Sequence, residues 1–348
     1  GLAMQKEITS HIPLLDENGQ LNCPGFAKKL YWQYDRKAVK ASHFKIKEWD
    51  YYYIINDNFC VALTIADNSY MGLDSISFIS FSKEYPWEQT VSRMQFFTFG
   101  RKNIPHTSEK GDLFSEGKGY TISFRHLGDR RILTFKMDNF LDKRPIEGNI
   151  TVHCPETESM VIATPFKNAP KAFYYNQKIN CMPAEGYVSM ADTMYYFDKE
   201  NSYAGLDWGR GVWTYKNTWY WGSASGAIDG IPFGFNIGYG FGDTSAASEN
   251  MIFYNNKAHK LSHVKFNIPM KNGREDYMSP WTFTSDDGRF EMDFVPVIDR
   301  AAKTDFKLLC SDQHQVFGRF TGKAVLDDGT VIKIKDFIGF AEKVYNKW

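Results

Sequence analysis

From Phe44 onward the chain alternates between apolar and polar positions with a period of two. Trp49, Tyr51, Tyr53 and Ile55 interleave with Glu48, Asp50, Tyr52 and Ile54, which predicts a strand. Asn56-Asp57-Asn58 reads as a turn, and Phe59, Val61, Leu63 and Ile65 alternate again on the return. Ile76 and Phe78 continue the meander. The same pattern predicts strands over 120–125, 131–137, 150–153 and 161–163. In the second half it predicts strands over 186–197, 212–221, 233–241, 251–254, 264–268, 281–285, 289–295, 315–325 and 331–342. Asp229-Gly230, Asp287-Gly288 and Asp328-Gly329 punctuate hairpins, because such pairs tolerate the positive φ of tight turns. Residues 1–42 carry no such rhythm. Helical spacing is weak throughout, and Pro86–Arg93 is the best of several poor helix candidates.

The pattern predicts an all-β, mostly antiparallel protein of barrel or sandwich type, with helix below about 15% of residues. The chain, at 348 residues, is too long for one small barrel. Pro165, Pro170 and Pro183 mark a strand-poor joint, which divides the chain into domains at 1–175 and 176–348.

Composition sharpens this picture. Aromatic residues make up 16% of the chain, and aromatic side chains favour half-buried pleated surfaces. Forty-one basic residues balance 41 acidic ones, which argues against an electrostatic nucleic-acid binder. The apolar run Cys60–Ala66 is far shorter than a membrane-spanning helix requires. Five widely spaced cysteines and no visible signal peptide point to free thiols, a reducing compartment and a cytoplasmic location. No metal site is expected. His259 and His263, the nearest approach to ligand spacing, would lie about 13 Å apart on a strand. The glycines form no phosphate loop, Gly222–Gly226 is no nucleophile elbow, and no cofactor is expected.

The stretch from Gly205 to Asn250 concentrates the candidate chemistry. Four of the nine tryptophans fall in fourteen residues. If 212–223 is one strand, Trp213, Tyr215, Trp219, Trp221 and Ser223 share a face. Gly234, Gly238, Gly240 and Gly242 share a face with Asn236, so something approaches that backbone closely: a packed ring, a neighbouring sheet or a ligand. Tyr239, Phe241 and Asp243 face the other way. Asp207 and Arg210 flank Trp208 in what reads as a glycine-rich turn, either as a structural ion pair or as polar groups in an apolar pocket. The candidate catalytic residues are Asp207, Arg210 and Asp243. The candidate ligand-binding residues are Trp208, Trp213, Tyr215, Trp219, Trp221, Asn236, Tyr239, Phe241 and Glu249. Glu48 and Asp50, on one side of a strand, form a second cluster for which solvent exposure is the favoured reading.

Several motifs together carry a family resemblance. They are Lys47–Tyr53, the 205–226 stretch, Gly240-Phe241-Gly242-Asp243 with Ser248-Glu249-Asn250, and the tail segments Gln315–Gly322 and Gly339-Phe340-Ala341-Glu342. The chain resembles the bacterial DUF2804 family from about Pro13 to Trp348. At greater distance it is similar to AttH/CrtC-type proteins. That resemblance implies two lipocalin-like barrels packed together and an apolar pocket, but no reaction.

Three functions fit these observations. The first is a lipophilic small molecule in a barrel pocket, with cofactor-free acid catalysis of the hydratase, cyclase or isomerase kind: an Asp buried among aromatics would hold a proton near neutral pH. The second is a carbohydrate-binding or glycosidase-like protein. The third is a non-catalytic carrier. Neither the ligand nor the oligomeric state is legible in the sequence.

Overall fold

Strands account for 64% of the described residues. The described residues contain no α-helix, only the 3-10 turns Arg36–Ala38 and His43–Lys45. The structure is a computed structural model describing residues 4–306 and 309–347, the side chains of 304–310 excepted. None of its helices is long and apolar enough to cross a membrane.

The first sheet follows one antiparallel path. Its order is Trp87–Phe96, Met71–Ser80, Phe59–Asp67, Lys47–Ile55, Tyr203–Val212, Ala169–Met190, Arg144–His153, Arg130–Leu141, Tyr120–His126 and Leu113–Gly117. It curls into a nearly closed barrel, and Gln89 Nε2 donates to the Phe140 carbonyl (2.7 Å) where its flanks meet. The second sheet runs Lys257–Lys260, Met251–Tyr254, Ile231–Tyr239, Lys216–Ile228, Val331–Lys347, Leu309–Val325, Phe290–Phe306, Trp281–Ser285 and Val264–Asn267, and forms a half-barrel.

Each sheet has its own apolar core. Tyr52, Ile54, Val61, Leu63 and Ile65 point into the first barrel, and Phe235, Phe283, Phe294 and Phe320 into the second. The outward faces of Lys47–Ile55 and Phe59–Asp67 are also buried, because the second sheet covers them. Tyr53, Ile55 and Cys60 pack there against Trp221, Phe317 and Phe340. Burial on both faces explains the near-continuous hydrophobicity of these two strands.

A polar staple fixes the two sheets together. Ala169–Met190 bulges between Ile179 and Met182, where Cys181 takes φ +60°. The bulge sends Asn180 Nδ2 to Ser223 Oγ (3.0 Å) and to the carbonyls of Ala224 and Phe235 (3.2 Å each). The Cys181 amide donates to Ser225 Oγ (3.0 Å), and the Tyr53 hydroxyl bonds both serines. Gly234 lies in this seam. A Cβ added there would meet the Ala224 carbonyl at 2.3 Å and Cys181 Sγ at 2.6 Å. Gly234→Ala is therefore expected to lower stability by about 1–3 kcal/mol in denaturant unfolding. An unchanged midpoint would show that the seam yields.

Several sequence expectations need correction. The segment Pro86–Arg93 is no helix: all of it after Pro86 lies in the strand Trp87–Phe96. The supposed joint at Pro165–Pro183 is mostly the buried strand Ala169–Met190, which runs through the 175/176 boundary. The chain leaves the first sheet after Val212 and enters the second at Lys216, so the sheets divide there. Residues 186–197 form a hairpin rather than one strand, and 212–221 is two strands broken at 213–215. Cys23, Cys60, Cys154 and Cys181 are free thiols, while the side chain of Cys310 lies outside the described residues.

Candidate functional site

A cavity of about 420 Å³ opens between the two sheets. One wall is the outward face of the first sheet, with Trp49, Tyr51, Leu73, Ser75 and Thr90. The other is built by Phe290–Phe306, Leu309–Val325 and Val331–Lys347. Each of these strands runs 17 residues, and their overhang supplies Arg300, Gln315, Glu342 and Val344 to the cavity.

The aromatic end is tightly packed. Tyr174, Trp213 and Trp219 pack around Phe241, with ring centroids 4.4, 4.9 and 4.9 Å from it. Trp49 meets Trp213 edge to face at 5.5 Å, and Tyr51 meets Trp221 the same way at 6.0 Å. Trp221 is held by its Nε1–H, which donates to Asn236 Oδ1 (2.7 Å), and Asn236 Nδ2 in turn donates to the Glu249 carbonyl (3.0 Å).

Charged groups sit among these rings. Lys178 and Asp207 are direct cross-strand partners, and their Nζ–Oδ1 distance is 2.9 Å. Asp207 also accepts from Asn176 Nδ2 (2.7 Å) and Trp49 Nε1 (3.2 Å). The Lys178 ammonium lies 3.8 Å from the Trp221 ring centroid, a cation–π contact. Two further carboxyls share this space. Burial raises the Glu249 pKa, with Lys178 opposing the rise. Glu342 keeps some accessible surface because it lines the cavity, yet protein packs around its carboxyl. Burial pushes its pKa up to about 8, against the pull of Lys178 and with help from Asp207. That shift favours the protonated acid at neutral pH.

The other end is polar. Arg300 donates to Ser77 Oγ (2.8 Å), Thr90 Oγ1 (2.9 Å) and the Gln315 side-chain carbonyl, and its Nε lies 3.7 Å from Glu88. Gln315 Nε2 donates to the Tyr51 hydroxyl (3.3 Å).

The family profile described as "Domain of unknown function (DUF2804)" matches residues 5–348. The chain belongs to the DUF2804 family. No curated protein matches it. Among solved structures, a putative AttH (NE1406) from Nitrosomonas europaea aligns with a TM-score of 0.53 at 10% identity, covering 89% of this chain and 96% of that one. Kievitone hydratase from Nectria haematococca aligns at 0.46 and 13% identity, covering 90% and 95%. CghA aligns at 0.46 and 9% identity, covering 99% and 97%. The first likeness concerns the fold alone, and it agrees with the paired-barrel architecture.

In this DUF2804 chain the cavity gathers Asp207, Trp213, Trp219, Trp221, Phe241 and Glu249 from the sequence candidates. The others lie elsewhere. Asp207 and Arg210 sit on a strand rather than in a turn, and three residues apart they face opposite ways. Arg210 is fully buried on the first-barrel side. It donates to the carbonyls of Trp49, Gly209 and Pro105 and pairs with Asp50 at 3.2 Å. Trp208 packs beneath its guanidinium, 4.0 Å away. Glu48 and Asp50 do share a face but are buried. Glu48 accepts from the Tyr34 hydroxyl (2.7 Å) and from Arg36 (2.8 Å). Asp243 caps its own turn by accepting from Ser245, which lowers its pKa. Tyr215 lies at the exposed crossover, Tyr239 packs on Phe266 in the second barrel, and Asn236 braces Trp221 from behind.

Lys178, Glu342, Arg300, Trp49 and Tyr174 also line the cavity and were not among the sequence candidates. The only signal for Glu342 was its place at the end of the Gly339–Glu342 tail segment.

Proposed function

We propose that the inter-sheet cavity binds a lipophilic small molecule and that Glu342 serves as its proton donor. The observation that carries this reading is a carboxylic acid, Glu342, that lines a cavity walled by tryptophan and tyrosine, where burial raises its pKa to about 8. Such a lining recognises apolar surface, and its few polar groups orient the ligand. In the proposed step the Glu342 O–H bond breaks and a C–H bond forms on an alkene carbon of the ligand. The cation left on the neighbouring carbon faces the π-clouds of Trp49, Trp219 and Trp221. Water then adds to that carbon and returns a proton to the Glu342 carboxylate, or the proton leaves from an adjacent carbon to shift the double bond. Asp207 positions the site, because its oxygens are committed to Lys178, Asn176 and Trp49. Filling the cavity with an apolar ligand would strip water from Glu342 and strengthen its hold on the proton.

Tryptophan fluorescence tests the binding step, with retinol as a neutral polyene probe. Saturable quenching is expected, weakened about tenfold by Trp219→Ala. Absence of saturable binding by retinol, together with saturable quenching by oligosaccharides, would sink the proposal in favour of a sugar site.

A further inference from the structure

The end of the edge strand Trp87–Phe96 and the loop after it carry large apolar side chains into solvent. Phe96 is 71% exposed, Phe97 54% and Met94 49%. Phe44, itself 57% exposed, meets Phe99 edge to face at 5.1 Å, which joins the segment around residue 44 to this loop. The loop backbone is strained. Phe97 and Phe99 take φ +55° and +43°, where a bulky side chain is an outlier. Backbone bonds hold that conformation, from the Phe97 amide to the Tyr70 carbonyl (2.8 Å) and from the Phe99 amide to the Ser69 carbonyl (3.0 Å). Strain of this kind persists where the surroundings enforce it, and here it fixes a cluster of exposed aromatics.

Charge follows the same surface. Residues 36–47 and 91–103 contain eight basic residues and no acidic one, in a chain of zero net charge. Lys37, Lys40, Lys45, Arg93 and Arg101 among them are exposed, whereas Lys47 is buried and Arg36 and Lys102 are paired with Glu48 and Asp74. Arg101 donates to the Phe97 carbonyl, which places its charge beside the aromatic cluster. The patch is also continuous with the cavity. Thr90 and Ser92 line the cavity, and Met94 and Phe96 follow them at alternate positions on the same strand face.

We infer that this patch docks the protein on an anionic lipid bilayer, with Phe44, Phe96 and Phe97 entering the interface and the basic residues meeting headgroups. Rings without polar edges, ringed by Lys and Arg, match an interfacial site better than a nucleic-acid site, where stacking aromatics line a groove. Docking stands independently of what the cavity binds, although it would place the cavity wall beside the membrane.

Vesicle co-sedimentation of the full chain tests the inference, with phosphatidylcholine alone and with phosphatidylcholine and phosphatidylglycerol at roughly 2:1. Binding to the anionic vesicles is expected, with loss on added salt. Phe96→Ser with Phe97→Ser should lower partitioning about tenfold or more, as should Lys45→Glu with Arg101→Glu, with unchanged thermal unfolding. The charge pair keeps the test open if the aromatic pair perturbs folding. Failure of the wild type to bind anionic vesicles, or equal binding by both variants, overturns the inference. So does binding to a single-stranded RNA oligonucleotide in place of vesicles.

Discussion

Arg210→Met is expected to destabilise the protein by about 3–5 kcal/mol, a large fraction of the stability of an ordinary domain. Arg210 has no exposed surface, and its guanidinium satisfies three backbone carbonyls besides Asp50. Removing it takes a donor from each of those oxygens and strands the Asp50 carboxylate in the first barrel. The loss should depend on pH. Burial already raises the Asp50 pKa, and Arg210 opposes that rise. Without Arg210 the folded-state pKa climbs further above the unfolded value, so the variant's stability falls as pH rises between the two. Thermal melts at about pH 5 and about pH 8 should show the smaller deficit at the lower pH. A deficit equal at both would mean that Asp50 is not the stranded group. Because the Asp50–Arg210 pair lies on the barrel side of its strand, this variant also separates the pair's structural role from the cavity.

Glu342→Gln should have the opposite sign. The native carboxyl holds its proton to about pH 8, whereas the unfolded chain releases it near the ordinary value of 4.5. The folded pKa is raised, so the wild type loses stability as pH rises from about 4.5 to about 8 and loses no more above that. An amide never ionises, so the variant should be more stable than the wild type above about pH 8. The expected gain is about 1–3 kcal/mol, discounted for the water that reaches Glu342 through the cavity. Parallel stability curves for the two proteins across that range would refute the raised pKa. The same variant should leave retinol quenching intact while cutting any proton transfer to a bound alkene by about 10²–10⁴-fold. Loss of binding would instead mark Glu342 as a packing residue.

Much of the fold is legible in the amino-acid pattern because strand and turn signals are local. Alternation around Trp49–Ile55 and Phe59–Ile65 marked Lys47–Ile55 and Phe59–Asp67, and Asn56-Asp57-Asn58 is the turn between them. Asp229 and Gly230 both take positive φ at a hairpin, as the Asp-Gly pair requires. The Gly234 face does meet a close neighbour, and it is Cys181 of the first sheet. Periodicity failed where the second sheet or the chain crossover intervened. Trp213 and Tyr215 interrupt an apparently continuous strand because the chain there leaves one sheet for the other.

The all-β class, the hairpin positions and the aromatic wealth of 205–250 are readable from the order of amino acids, since each depends on residues a few positions apart. Tertiary structure alone decided which charges meet. Asp207 pairs with Lys178 and not with nearby Arg210, because the register of two strands sets Lys178 opposite Asp207 while strand geometry turns Arg210 to the other face. Glu342 reaches the cavity because its strand sets it opposite Trp221 and overhangs the first sheet. Register between strands distant in the chain is fixed by the packing of whole faces, and no local pattern encodes it.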